Sequence, residues 1–278
     1  MRIGVRCHDV IHSNLEELSE KVGEKSLKGV QLALKKIKTG FDMNKAHITP
    51  GMAKNFRDAF GKNGISISVL GCYINLAHPD DGELNKLLDY FKEHIRFARD
   101  FGCSIIGTET GALNKEYVYT PENNTEEAFQ RTLSSIKVLV EEAEKFGVIV
   151  GIEPVIKHVI NTPERTRRAL DSIKSNNLQV ILDPVNLLDE NNYKRQDEII
   201  KKAFELFGDR IVIIHAKDFV VEESKAKVVP IGTGLLNYPL VISLIKERNP
   251  YIEVLLENST AQDIDNSIVY LNKLYNES

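Results

Sequence analysis

Four hydrophobic segments in the second half of the chain each end in a side chain that can bind a metal ion. They read VIVGIE, LQVILD, IVIIH and IEVLLE, and they end at Glu153, Asp183, His215 and Glu257. Successive ends are 30, 32 and 42 residues apart, which is the length of one strand, one helix and their loops. Parallel strands of an α/β barrel gather their C-terminal ends on one face, so the four side chains are predicted to meet there. Three carboxylates and one imidazole suit one divalent cation such as Mn²⁺, Co²⁺, Mg²⁺ or Zn²⁺.

Two of these side chains also suit acid–base chemistry. Any one of the four, taken alone, is more simply an ion-pair partner or a capping group, but four at equivalent strand ends favour the metal site. A cation that chelates a carbonyl oxygen and a neighbouring hydroxyl acidifies the C–H between them by stabilising an enediolate. Glu153 and Glu257 end the fifth and eighth strands and approach from different sides, so one can remove a proton and the other return it. The expected chemistry is epimerisation or aldose–ketose isomerisation.

The rest of the chain predicts the elements that position these residues. Strand-like segments rich in Ile and Val alternate eight times with helix-like segments, and most show little polar alternation, as in strands covered on both faces. This pattern predicts a (β/α)8 TIM barrel, with residues 1–278 as a single domain. The eight strand segments are Arg2–Cys7, Gly29–Leu34, Ile65–Gly71, Ser104–Glu109, Val148–Glu153, Gln179–Asp183, Ile211–His215 and Glu253–Glu257.

Local signals mark the helix ends. Residues 13–16 read as a capping box. Helix starts are predicted where a threonine cap precedes proline, at Thr49-Pro50, Thr120-Pro121 and Thr162-Pro163. Helix stops are predicted at Gly64, Gly102 and Gly147, each placed just before a strand.

Composition and charge exclude several classes of protein. The net charge is −4, from 36 basic and 40 acidic residues, so no basic footprint for nucleic acid exists. No hydrophobic run approaches the roughly 18 residues of a membrane span. The three cysteines are odd in number and far apart, which argues against disulfides and thiolate zinc sites and suggests a reducing compartment. The N-terminus becomes a strand at once and shows no signal-peptide pattern. We expect a cytoplasmic protein whose partner is a small molecule. A homo-oligomer is compatible with these observations.

The motifs around the four ligands resemble a known superfamily. GIEPV, ILDPVN, IHAKD and LLEN resemble the xylose isomerase-like barrels, and within them the sugar-phosphate isomerase/epimerase branch with its ketose 3-epimerases and inosose dehydratases. The resemblance covers essentially the whole chain, including CYINLAHPDD after the third strand and PIGTG before the seventh helix. It implies that Glu153, Asp183, His215 and Glu257 hold one divalent metal, and that the two glutamates act as acid and base.

Departures from the family pattern are informative. The ketose epimerases have a histidine where this chain has Asn186, and an arginine in the region where it has Lys217 and Asp218. The HAKD run is more similar to inosose dehydratases. Endonuclease IV, another member of the superfamily, has further histidine and aspartate ligands. The corresponding segment here, ESKAKVVPIGTG, contains neither and is expected to be a loop.

Five further residues are candidates for substrate binding. Lys217 is expected to face a substrate oxygen, or else to pair with Asp218 or Glu257. His158 and Asn186 follow the fifth and sixth strands and are expected to bind substrate hydroxyls, although Asn186 could instead cap its loop.

The other two candidates come from the first half of the chain. His8 directly follows the first strand segment and is expected to point toward the barrel mouth. Glu109 is expected to line the pocket or to be a core carboxylate. The glycine-containing turn at 231–234 could cradle a phosphate, but a simple turn before a helix is the favoured interpretation.

These observations predict a divalent-metal-dependent isomerase or epimerase that acts on a sugar, a sugar phosphate or a related polyol ketone. One alternative is a lyase that eliminates water, like the inosose dehydratases. A second is a non-catalytic protein that binds a metal and a sugar.

Overall fold

Eight parallel strands close into a barrel in a computed structural model, which describes residues 1–277. Around the ring the order is β1, β10, β7, β6, β5, β4, β3 and β2, so every strand neighbours the next barrel strand in the chain. This confirms the predicted (β/α)8 barrel. The barrel strands are β1 (Arg2–Arg6), β2 (Gly29–Leu32), β3 (Ser66–Gly71), β4 (Ile105–Glu109), β5 (Ile149–Glu153), β6 (Leu178–Leu182), β7 (Ile211–Ala216) and β10 (Glu253–Leu256).

Eight helices follow the barrel strands and cover the outside of the sheet. Thr49 and Thr162 cap two of them, accepting hydrogen bonds from the backbone N–H groups of Met52 and Arg165. Both of these predicted helix starts are confirmed. The helices are α1 (Leu15–Glu24), α2 (Pro50–Gly61), α3 (Asp81–Phe97), α4 (Glu126–Phe146), α5 (Pro163–Ile173), α6 (Gln196–Phe207), α7 (Tyr238–Arg248) and α8 (Ala261–Glu277).

Two helix starts differ from the prediction by a few residues. Thr120-Pro121 precedes a short 3-10 helix, and α4 begins only after Thr125, whose hydroxyl accepts from the N–H of Ala128. At α1 the cap is Asn14 rather than Ser13. The backbone N–H of Glu17 donates to Asn14, and Glu17 accepts in return from the N–H of Ser13, the residue before the cap. The arrangement resembles a capping box but is displaced from residues 13–16.

A β-hairpin replaces part of the segment expected to be a loop. Strands β8 (Asp218–Glu222) and β9 (Lys225–Val229) pair antiparallel between β7 and α7. The prediction of a loop was wrong. The sequence gives no signal for β9, because this strand is mostly exposed and lacks a hydrophobic run. The turn also lacks glycine, although Glu223 and Ser224 both adopt the positive φ that a two-residue hairpin turn requires.

Branched side chains fill the interior of the barrel. Val69, Ile105, Ile181, Ile213 and Leu255 form a compact cluster there, separate from the larger core between sheet and helices. Glycines make room for it, because a Cβ at position 107 or 151 would lie 2.8 or 3.0 Å from the Cδ1 atom of Ile181. The chemistry is therefore confined to the strand ends above a solid interior.

The three cysteines, Cys7, Cys72 and Cys103, are buried and unpaired. Among residues 1–277, no helix combines the length and the apolar character needed to span a membrane.

Candidate active site

Three of the four predicted ligands converge at the C-terminal end of the barrel. Glu153 ends β5, His215 lies in β7 and Glu257 directly follows β10, the eighth barrel strand. The Nδ1 atom of His215 lies 3.2 Å from Oε2 of Glu153 and 3.2 Å from Oε1 of Glu257. One ligand atom from each residue lies within 4.8 Å of the others, and all three side chains are buried. We call these residues the ligand triad.

The ligand triad has the properties of a cation site. His215 is fully buried, yet neither ring nitrogen has a hydrogen-bond partner of good geometry among the described residues. Buried polar atoms almost always have a partner, and two carboxylate oxygens beside one imidazole nitrogen form a donor set for a divalent cation. The residues present therefore fit the metal that the sequence predicts.

Charges within the triad are strongly coupled. Burial alone would lower the pKa of His215, but Glu153 and Glu257 outweigh it and raise the pKa to about 9. Burial alone would raise the pKa of Glu257, but the positive charges of His215, Lys217 and Arg6 lower it to about 2. Without a metal, the glutamates thus hold a positive charge on the imidazole at the place where a cation would bind.

The fourth predicted ligand, Asp183, has a different partner. Its Oδ2 atom lies 2.8 Å from Nζ of Lys217, and its Oδ1 atom accepts from the backbone N–H of Val185 at 2.8 Å. Asp183 is thus outside the ligand triad. Lys217 reaches this space because it follows His215 by two residues along the same stretch of chain.

Asn186 links the lysine to the triad. Its Oδ1 atom accepts from Nζ of Lys217 at 2.8 Å, and its Nδ2 atom donates to Oε1 of Glu153 at 2.6 Å. Lys217 also lies 3.4 Å from Oε2 of Glu257. Of the two ion-pair partners considered for Lys217, the structure shows Glu257 and not Asp218.

Asp218 instead organises the turn after the hairpin. Its carboxylate accepts from the backbone N–H groups of Phe219, Gly232, Gly234 and Leu236, at 2.8 to 3.0 Å. The amides of the glycine-containing turn therefore point at a carboxylate of the same chain. This arrangement supports the simple turn over a phosphate cradle.

Two members of the ligand triad, Glu153 and Glu257, line a small polar cavity of about 180 Å³. Three of the predicted substrate-binding residues line it: Glu109, Asn186 and Lys217. Five further lining residues were not identified from the sequence: Arg6, Lys36, Tyr73, Tyr117 and Asn258.

Glu109 and His158 lie together on one side of this cavity. The Tyr117 hydroxyl donates to Oε2 of Glu109 at 3.1 Å, and the His158 ring stacks on Tyr117 with centroids 5.0 Å apart. His158 is buried behind Tyr117 and is not among the residues that line the cavity. Burial lowers the pKa of His158 to about 4, so its imidazole is neutral at neutral pH.

His8 lies beside the cavity rather than on its wall. It belongs to a short 3-10 helix, Cys7–Asp9, that follows β1. The preceding Arg6 faces the cavity and donates to Asp9 through Nε at 3.0 Å and Nη2 at 2.9 Å. Its Nη1 atom lies 3.4 Å from Oε2 of Glu257, so Arg6 joins the rim to the ligand triad.

Some of the unidentified residues carried a usable sequence signal. Arg6, Tyr73 and Asn258 each lie at the end of a barrel strand or within two residues of it. A search of all eight strand ends for polar side chains would have found these three. Lys36 and Tyr117 come from connecting segments, where position relative to a strand carries no such information.

A larger groove of about 560 Å³ lies near the loops after β5 and β6. Its lining includes Tyr119, Thr162, Asp189 and Arg195 but no member of the ligand triad. The convergent buried groups, rather than cavity size, identify the smaller cavity as the candidate site.

Comparison with known proteins agrees with the barrel fold. Residues 27–274 match the family model described as xylose isomerase-like TIM barrel. The chain belongs to this family. A search of curated proteins found no match.

Several solved structures are similar to this chain over nearly their whole length. A D-tagatose 3-epimerase-like protein has a TM-score of 0.80 at 19% identity, covering 100% of this chain and 99% of that one. The 3-keto-D-glucoside 4-epimerase of E. coli has a TM-score of 0.76 at 15% identity, with 98% and 99% covered. The IolI protein, solved with a bound zinc atom, has a TM-score of 0.73 at 17% identity, with 100% and 99% covered. At these identities the likeness shows the shared fold.

Proposed function

We propose that this protein is a divalent-metal-dependent isomerase or epimerase that acts on a sugar, a sugar phosphate or a related polyol ketone. The observation that carries the proposal is the ligand triad, in which two buried glutamates lie 3.2 Å from one histidine nitrogen at the catalytic end of the barrel. Membership of the family and the sugar epimerases among its similar structures support the same class of reaction.

The residues of the ligand triad would hold the metal ion in this mechanism. Glu153, His215 and Glu257 would hold the cation, with Asp183 available as a fourth ligand if Lys217 moves away. When bound, a cation such as Mn²⁺, Co²⁺, Mg²⁺ or Zn²⁺ would polarise the carbonyl and hydroxyl oxygens of the substrate and stabilise an enediolate.

The two glutamates differ in their surroundings. Besides His215, Glu257 faces two further cations, Lys217 and Arg6, each with a nitrogen 3.4 Å from its Oε2 atom. Glu153 instead accepts on Oε1 from the neutral amide of Asn186. We therefore assign removal of the substrate proton to Glu153, with Asn186 fixing the orientation of its carboxylate. Glu257 would deliver a proton on the opposite face, which requires that bound substrate first separate it from the cations Lys217 and Arg6 that otherwise keep it ionised.

Elimination of water is less well supported. A lyase needs a proton donor for the departing hydroxyl, and the buried ammonium of Lys217 is the group in a suitable place. Burial alone would lower the pKa of Lys217, but Asp183, Glu257 and Glu153 outweigh it and raise the pKa. A more tightly held proton makes Lys217 a poor acid, so we retain isomerisation or epimerisation.

We further propose that the three buried, unpaired cysteines reflect a reducing compartment such as the cytoplasm. We propose that the substrate is a small carbohydrate, because the cavity is small and lined mainly by polar and charged groups.

Metal analysis followed by isotope exchange tests the proposal. The purified protein should hold or take up about one equivalent of a divalent metal, and ketoses or inososes incubated with it in D₂O should gain deuterium beside the carbonyl. An isobaric product indicates isomerisation or epimerisation, and loss of one water indicates a lyase. Binding of a sugar without exchange at any carbon would favour a binding protein, and absence of metal uptake would reject the proposal.

A further inference from the structure

Two of the three cations that line the cavity form close ion pairs. Arg6 pairs with Asp9, with an N–O distance of 2.9 Å, and Lys217 pairs with Asp183 at 2.8 Å. Lys36 also lines the cavity, but among the described residues no carboxylate lies within ion-pair distance of it. Among the described residues, it is therefore the cation of this cavity that forms no close ion pair, although its charge acts at longer range on Glu109.

Lys36 is held near the cavity. It ends the 3-10 helix that follows β2, and its Nζ atom lies 4.9 Å from the centroid of the Tyr73 ring. Tyr73 is itself part of the cavity wall. An ammonium over an aromatic face is attracted to it, so the ring favours this position over a fully solvated one.

His8 lies near Arg6 and Lys36 and experiences the charges of both. Burial lowers the pKa of His8 to about 4, and the charges of Arg6 and Lys36 act in the same direction, whereas those of Asp9 and Glu257 oppose it. The Nδ1 atom of His8 is buried and has no hydrogen-bond partner among the described residues. A neutral imidazole thus lies beside two cations at the mouth of the cavity.

We infer that the substrate carries an anionic group, a phosphate monoester or a carboxylate, which Lys36 binds at the mouth of the cavity while the sugar chain reaches the ligand triad. This inference rests on the proposed function and narrows its substrate class. A neutral sugar would leave the ammonium without a close ion-pair partner. A charge-assisted hydrogen bond to an anion would strengthen binding roughly 10- to 100-fold.

The chain offers a matched control for Lys36. The neighbouring Lys35 is also exposed, but its Nζ atom lies 3.6 Å from the centroid of the Tyr90 ring on α3. Lys35 is not among the residues that line the cavity. The substitutions Lys36→Met and Lys35→Met remove the same charge from adjacent positions, and only the first removes it from the cavity.

Anion binding tests the inference without requiring turnover. Inorganic phosphate and sulfate are titrated calorimetrically into the metal-loaded parent and both variants. Lys36→Met should weaken binding roughly 10- to 100-fold and leave the metal content unchanged, whereas Lys35→Met should have less than a twofold effect. Equal binding by the parent and Lys36→Met overturns the inference, because the anion would then bind at the metal or elsewhere.

Turnover of matched substrates separates this inference from the proposed function. D-Fructose, D-fructose 6-phosphate and 5-keto-D-gluconate provide a neutral, a phosphorylated and a carboxylated ketose for deuterium exchange. The inference predicts a higher kcat/KM for one of the anionic ketoses, caused by a lower KM. This preference should be lost in Lys36→Met and retained in Lys36→Arg, and the preferred ketose identifies the anion. Equal exchange of neutral ketoses by the parent and Lys36→Met rejects the anion site but not the reaction. Lys36-dependent anion binding without exchange of any ketose supports the anion site and counts against the reaction.

Discussion

The two halves of the barrel mouth are built differently. The half after β5, β6, β7 and β10, which we call the ligand arc, places Glu153, Asp183, His215 and Glu257 in buried positions where they contact one another or Lys217. The half after β1 to β4, which we call the rim arc, contributes Arg6, Lys36, Tyr73, Glu109 and Tyr117, none of which is fully buried. The difference suggests that the ligand arc carries the reaction and the rim arc selects the substrate.

The two halves are also positioned by different means. The three residues of the ligand triad lie in barrel strands or directly beside them. Pairing between strands fixes their relative positions: Leu255, which is two residues before Glu257, pairs with His215. Strand pairing therefore sets the geometry of the triad directly. Lys36 and Tyr117 depend on short connecting segments, which tolerate sequence change more readily than barrel strands.

Loss of the imidazole should have the largest effect. His215→Ala removes the nitrogen that both glutamates face, so metal binding should be lost and turnover should fall roughly 1000-fold or more. Metal analysis and an exchange assay measure the two effects. The control is His47→Ala, which removes a histidine whose side chain is 93% exposed. A variant that keeps its metal after loss of His215 would contradict the assignment of the ligand arc.

Neutralising either glutamate should be nearly as severe. Glu153→Gln and Glu257→Gln each remove a proton carrier while preserving shape, so kcat should fall roughly 100- to 10 000-fold in a folded barrel. Circular dichroism and steady-state kinetics check the fold and the rate. Glu20→Gln, on the exposed face of α1, serves as the control. Full activity in either variant would exclude the two-glutamate mechanism.

Substitution of Lys217 should show whether a metal bound at the ligand triad also reaches Asp183. In the metal-free protein, Lys217→Met leaves the buried carboxylate of Asp183 without its cation, so the free energy of unfolding should fall by about 3 kcal/mol. A bound metal should replace the missing positive charge and reduce this loss. Unfolding in denaturant, with and without metal, gives both values. An equal loss in the two states would show that the cation does not reach Asp183.

A substitution in the rim arc should have the smallest effect on turnover. The Tyr73 hydroxyl accepts from the side-chain amide of Gln31 and lies in the cavity wall, so its own proton is available to a substrate oxygen. Tyr73→Phe should lower kcat/KM about tenfold, as expected for one lost hydrogen bond, without changing the metal content. Tyr251→Phe, at a residue that is 89% exposed, is the control. A loss of metal in Tyr73→Phe would show that the two arcs do not act separately.

Much of the fold and part of the site were predictable from local pattern. Hydrophobic runs such as VIVGIE predict buried strands because both faces of a barrel strand are covered, and the threonine caps at Thr49 and Thr162 act within four residues. The same logic placed Glu153, His215 and Glu257 at one end of the barrel. The hairpin β8–β9 escaped prediction because its exposed strand has no comparable hydrophobic run.

By itself, the sequence determined the barrel and the residue types at its strand ends, because burial of a strand is a property of a few consecutive residues. Only the tertiary structure decided which of these side chains meet. Asp183 is paired with Lys217 rather than grouped with the ligand triad, and Lys36 lies over Tyr73 at the cavity mouth. These outcomes depend on distances between residues far apart in the chain, on side-chain direction and on competition among neighbouring charges, none of which local periodicity contains.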